Sequence, residues 1–363
     1  MQRPAPSPPL AAAPSRARLA PLALVPLALL PPAVSCAGAP PDAPPALTPP
    51  VAPELQVRPL TDLYYEVRAR AGARGAPPQE GPLSAAVAAA RVLERSFGFP
   101  LPWGLVDGEL IGCQTADDLV RACEALPETF TRREPGGGTR LQPLHEPAVA
   151  LARALAAVEA DWLTREWPPR RAALEAARAQ LAARLQGPRA AALFEHFTGI
   201  LDLHLARAEA PVLLVTRAPW PGAMTFRAPG GGGVSVVGLE GQAGSTLVEV
   251  ALHEILHTLD ELGADQETLL QRVRASLAAA GLSETDRRRR DAAHLLFFVH
   301  AADTVRRFVD PGHVDYGESA GLYARLGPYA RVVRALWPRY VAGELDADGF
   351  VTLVTAAVLD SGP

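Results

Sequence analysis

Two histidines four residues apart, with a glutamate directly after the first, stand in the stretch 249-EVALHEILHTLDELG-263. On an α-helix, residues i and i+4 share a face, about 40° apart, so His253 and His257 can aim two imidazole nitrogens at one ion. Glu254 is turned about 100° from His253, where it borders such an ion without ligating it and can take a proton from water that a metal has made acidic. Zinc is the ion that suits this donor set. The bare pattern arises by chance in on the order of one per cent of chains this long, so its neighbours matter. Val250, Ala251, Leu252, Ile255, Leu256 and Leu259 are uncharged and describe a buried helix. Two histidines and a glutamate inside such a helix are costly without a partner, and a metal ion is one.

The elements that must hold this helix come just before and after it. Between 211 and 243 the short runs 211-PVLLVTRAPW-220, 223-AMTFRAP-229 and 234-VSVVGLEG-241, separated by Gly and Pro, predict strands of a small sheet. The tetraglycine at 230–233 lacks a GK[ST] ending and leads into a strand, so it is expected to be a hairpin turn and not a phosphate loop. After the motif, helices are predicted over 265–280 and 285–309, then a helical C-terminal portion beyond a Gly/Pro-rich break at 310–318. Before the sheet, apolar residues at spacings of three and four predict helices over 83–97, 116–126, 146–167, 170–185 and 188–206. The stretch 54–72 reads equally as strand or short helix. The segment 343-GELDADGFVTLV-354 lacks the full ligand series of a calcium loop.

With those neighbours, 253-HEILH-257 resembles the signature of the zincin metallopeptidases. The resemblance is close over some fifteen residues and extends in layout over 211–330. It implies a motif helix beneath a small, mostly antiparallel sheet whose edge strand holds an extended peptide, with 234-VSVV-237 as the expected edge. It also implies a third ligand for a tetrahedral catalytic zinc. Asp260 and Gly263 stand where one branch of the superfamily continues with glycine and histidine, and no ExxxD of the other branch follows. The later helix offers His294, His300 and Asp303, of which His294 and His300 are about 240° apart around it, so at most one of them faces the metal. His294 is the expected ligand, because 294-HLLFFVHAADTVRR-307 and the later 313-HVDYGESAGLYAR-325 are similar to a pattern in exported HExxH proteins of unassigned function. His300, Asp303 and Asp260 stay open. Asp260 could instead hydrogen-bond a ligand, and Tyr316 is a candidate donor to a developing oxyanion, with a plain packed loop tyrosine as the alternative. His145, His196, His204 and His313 carry no motif.

The whole chain frames this centre. Its 363 residues are 48% hydrophobic and 20% charged, enough for a globular core, while 37 prolines concentrate near the N-terminus. All basic residues are arginines, and only Arg287 to Arg290 cluster, at the start of a predicted helix, so no nucleic-acid surface is expected. Arg3, Arg16 and Arg18 precede 19-LAPLALVPLALLPPAV-34, the length of a signal-peptide apolar region. The following 33-AVSC-36 resembles a bacterial lipoprotein signal with Cys36 as lipid anchor; ordinary cleavage near Ala37 or Ala39 is the rival, and a disordered Pro/Ala N-terminus with no targeting role is the third reading. The expected organisation is a signal peptide at 1–36, a Pro/Ala-rich tether at 37–53, a mainly helical region at 54–207 and a zincin-like metal-binding region at 208–363. Cys113 and Cys123 are either a disulfide or two buried thiols. The expected fold class is α+β, predominantly α-helical. The expected function is that of an exported zinc-dependent hydrolase of peptides in the cell envelope, periplasm or medium. A non-catalytic zincin-fold lipoprotein that binds a peptide or envelope partner is the alternative, and a helical interaction protein with a fortuitous motif is the third reading.

Overall fold

The computed structural model describes residues 50–72, 81–97, 101–133, 138–205, 208–219, 221–228 and 231–362. Cys36, the signal segment and all of the tether before residue 50 lie outside them. The chain enters as β1 (Val51–Val57), which takes over the last residues of the expected tether because Val51, Pro53 and Leu55 alternate inward. Next come α1 (Pro59–Gly72), α2 (Ser84–Phe97), α3 (Leu101–Gly112) and α4 (Ala116–Glu124). A hairpin of β2 (Thr129–Arg133) and β3 (Thr139–Pro143) follows, which the sequence pattern did not announce. The helix α5 (His145–Asp161) runs through one π-helical turn at Trp162–Glu166 into α6 (Trp167–Leu185). Then come α7 (Ala190–Gly199), the strands β4 (Ala208–Val215), β5 (Ala223–Arg227) and β6 (Gly233–Gly238), and the motif helix α8 (Gly244–Leu262). The chain closes with α9 (Leu269–Ala279), α10 (Arg287–Phe308), α11 (Tyr316–Ser319), α12 (Leu322–Leu326), α13 (Tyr329–Val341) and α14 (Ala347–Asp360). The class is α+β and predominantly helical. No helix among the described residues is long and apolar enough to cross a membrane.

The four-stranded sheet has the order β1-β4-β6-β5 and is mixed. β1 and β4 are parallel, as are β4 and β6; only β5 and β6 are antiparallel. The expectation of a mostly antiparallel sheet therefore holds for the β5–β6 hairpin and not for the rest. The reason is the crossover from β1 to β4, which carries the helical first half and brings the second strand back in the same direction. This also makes the described residues one compact unit: Asp62 at the start of α1 accepts the Thr216 N–H at 2.6 Å just past β4.

β6 lies between β4 and β5 and is buried at every position, so 234-VSVV-237 is a central strand and not the edge. A run buried on both faces reads as nearly continuous in apolar residues, and VSVV interrupts its valines only with the small Ser235. The edge on this side is β5. Its turn into β6 uses left-handed backbone at Gly231 (φ 83°) and Gly232 (φ 86°). Gly233 has a different role: a Cβ there would stand 2.5 Å from Thr258 Oγ1, so glycine lets the sheet close onto α8. α8 packs across β4, β5 and β6, and α10 packs against α8. Cys113 and Cys123 are free and buried.

Candidate metal centre

α8 is buried without a break from Leu247 to Leu256. Its position between sheet and α10 leaves one stripe, Glu249, Val250, His253, Glu254 and His257, on the wall of a cavity of about 520 Å³. α10 supplies His294 to the same wall. His253 Nε2 stands 3.0 Å from His294 Nε2, and His257 Nε2 stands 3.3 Å from it. The three histidines lie close enough to bind a metal ion. Nitrogens that share a tetrahedral zinc at about 2.0–2.1 Å are separated by about 3.3 Å, which the two spacings approach. Burial pushes the pKa of His253 and His257 well below the ordinary histidine value, and the neighbouring His294 adds to it. Burial pushes His294 down to about 4, with Asp291 pulling it back up. All three rings therefore present a lone pair at neutral pH, as metal ligands must.

The aromatic residues three and four positions after His294 fix the rings. Phe298 lies 4.1 Å from the His253 ring, centroid to centroid, and Phe297 meets His257 edge-on at 4.5 Å. Their spacing puts His294, Phe297 and Phe298 on one face of α10. Beside the triad, Glu254 is 5% exposed and its Oε2 accepts from Thr225 Oγ1 at 2.8 Å. Burial pushes its pKa up to about 8, against the pull of that hydrogen bond. A cation held by the histidines acts in the opposite direction, since an opposite charge favours the carboxylate.

The other candidate ligands are elsewhere. His300 is fully buried, donates from Nε2 to Phe197 O at 2.8 Å and stacks on the Phe197 ring. Asp303 lies beside His196, 4.0 Å away, on that same side of α10. Asp260 is paired with Arg274 through both oxygens, at 2.8 and 2.6 Å. Tyr316 does line the cavity, and its hydroxyl donates to Pro221 O at 2.9 Å.

The opposite wall is β5, through Ala223, Met224 and Thr225. Gly238 N–H donates to Gly222 O at 3.0 Å and Ala228 N–H to Gly232 O at 2.9 Å. Paired residues alternate along an antiparallel ladder, so the amides and carbonyls of Ala223, Thr225 and Arg227 point away from β6. Sequence reasoning missed Thr225, the Phe297–Phe298 pair and the contact of His313 with Glu249, 2.5 Å between Nε2 and Oε2. For the last, the one available signal was an acidic residue inside the apolar stretch one turn before His253. Compared with protein-family models, curated proteins and solved structures, the chain matches none of them.

Proposed function

We propose that the protein is an exported zinc-dependent hydrolase that cleaves peptide bonds. The observation that carries this reading is the meeting of three imidazoles and a buried glutamate on one wall of a cavity whose other wall is an edge strand. His253, His257 and His294 would hold the ion; three protein ligands leave a fourth position for water or substrate. Zinc, when bound, supplies Lewis acidity, which makes water acidic near neutral pH and polarises a carbonyl.

The remaining work falls to the chain. An extended peptide pairs with the outward groups of β5 by strand addition, which sets its register against α8. Glu254 accepts the proton of the attacking water and returns it to the leaving nitrogen, with Thr225 holding the carboxylate in place. Tyr316, released from Pro221 O, donates to the carbonyl oxygen as negative charge builds on it. The apolar part of the wall, Val250, Phe298, Leu322 and Leu326, excludes water and strengthens each of these interactions.

Metal analysis after purification without chelator tests the reading first: about one zinc per chain is expected, and less than about one tenth of an equivalent rules the catalysis out. Cleavage of a broad peptide library by the wild type and not by Glu254→Gln tests the second step, since that change keeps the ligands and removes the base. The export component rests on residues 1–36 of the sequence. A Cys36→Ser variant that still fractionates with membranes excludes lipid attachment at that residue.

A further inference from the structure

Glu249 is a buried carboxylate that the hydrolytic steps do not use. It stands one helical turn before His253, is 1% exposed, and forms part of the cavity wall together with His253, Glu254 and Tyr316. One of its oxygens is fully engaged: Oε2 accepts the Tyr316 N–H at 2.7 Å and lies 2.5 Å from His313 Nε2. His313 is held in turn from behind. Ser245 O–H donates to Asp310 Oδ2 at 3.0 Å, which leaves the Ser245 oxygen to accept from His313 Nδ1–H at 3.0 Å. The other oxygen, Oε1, is buried with no hydrogen-bond partner among the described residues. A carboxylate fixed on one side and unpaired on the other is disfavoured until a donor reaches it. Burial pushes its pKa up, with His313 and the Tyr316 amide pulling it back.

The arginines of the cavity do not supply that donor. Arg287 is held by Asp291 at 3.0 Å and Arg325 donates to Ala320 O at 3.0 Å. We propose that Glu249 binds a primary ammonium group of the substrate, so that the centre selects peptides by a positive charge close to the bond it cleaves. This rests on the hydrolytic reading of the same cavity. The spacing fits: four residues of helix separate Glu249 from His253 by about 6 Å along the axis, and an α-ammonium is two bonds from the carbonyl of its own residue. The neighbouring wall of Val250, Phe298, Leu322 and Leu326 offers no competing acceptor, and a low-dielectric surround strengthens a charged hydrogen bond. Primary amines are protonated at neutral pH, whether from a free amino terminus or a lysine side chain.

Binding of n-hexylamine and n-hexanol to the purified protein, measured by calorimetry at pH 7, tests this without any turnover. The amine is expected to bind at least tenfold more tightly than the alcohol, and the preference to vanish in Glu249→Gln with zinc content kept. Equal binding of the two probes to the wild type overturns the proposal and leaves Glu249 as a fastening of the start of α11; so does a preference that survives in Glu249→Gln. The wild-type comparison stands even where the variant does not fold. Because no hydrolysis is read, an amine preference in a protein that cleaves no peptide separates failure of the hydrolytic reading from failure of this one. Among peptides that are cleaved, loss of at least tenfold in kcat/KM on N-acetylation assigns the α-ammonium, and the same loss on replacing lysine by norleucine assigns the side chain. Cleavage indifferent to both changes overturns the proposal.

Discussion

His294 and His300 lie six residues apart on α10, both titrate far below an ordinary histidine, and burial is the main cause for each. Their surroundings differ. His294 meets two more imidazoles across the α8 interface and borders a cavity. His300 is enclosed by Phe197 and Trp337 rings and donates to a backbone carbonyl. The difference teaches that burial of a histidine says little about its chemistry. What separates a ligand from a packed ring is whether its lone pair converges with others beside a space that an ion and a substrate can enter.

The comparison breaks most sharply through activity. Glu254→Gln should lower peptide cleavage by about 10²–10⁴-fold, the range for a lost general base, while zinc content stays at wild-type level. His300→Gln, which keeps a donor for Phe197 O, should change cleavage by less than about twofold; equal losses in both variants would mean that the two sides of α10 are not functionally distinct. Metal affinity gives the next largest effect. His294→Ala should weaken zinc binding by more than the roughly 10–100-fold typical of groups one hydrogen bond further out, and His300→Gln should leave it unchanged in a competition assay with a chromogenic chelator.

Acid stability should sharpen the contrast from the other side. The pKa of His300 is pushed down to about 3 by burial, and that of His196 to about 4 by burial and Arg307, from the ordinary histidine value of 6.5. Below 6.5 the unfolded chain binds these protons and the folded one does not, so stability is full above about pH 6.5 and falls as the pH drops toward about 4 for His196 and about 3 for His300. Each such group contributes up to about 1.4 kcal/mol per pH unit in that window. Urea unfolding of His300→Gln at pH 5 and 7 should show a smaller difference than the wild type, with the rest of the dependence left to His196 and, in the metal-free protein, to His253, His257 and His294. The smallest effect is expected at Asp260, whose partly exposed pair with Arg274 should contribute about 0–1 kcal/mol. Asp260→Asn should bind zinc as the wild type does, and a lost ion would return Asp260 to the ligand set.

Parts of this comparison were legible before any coordinates. The 3.6-residue pattern around HEILH required a buried helix, and the same period placed His294 and His300 on different faces of the next long one. Period alone could not say which face meets α8, and His294 was preferred through resemblance. The identity of the edge strand is hidden from the sequence for a related reason. VSVV and AMTFR are both short strand-forming runs, and only the pairing partners decide which of them is covered on both sides. The direction of β1 and β4 was equally hidden, because it depends on how some 150 intervening residues return to the sheet.

By itself the sequence determined the local geometry: a helix that carries two histidines and a glutamate on adjacent faces, strands before it, and an apolar environment that makes such residues costly without a partner. These follow from interactions within a few residues, so they are written in spacing and composition. The tertiary structure alone decided that His294 completes the triad, that β5 forms the facing wall and that Glu249 is fastened by His313, 64 residues later. Those are contacts between elements far apart in the chain, and the packing of α8 between the sheet and α10 is what brings them within reach.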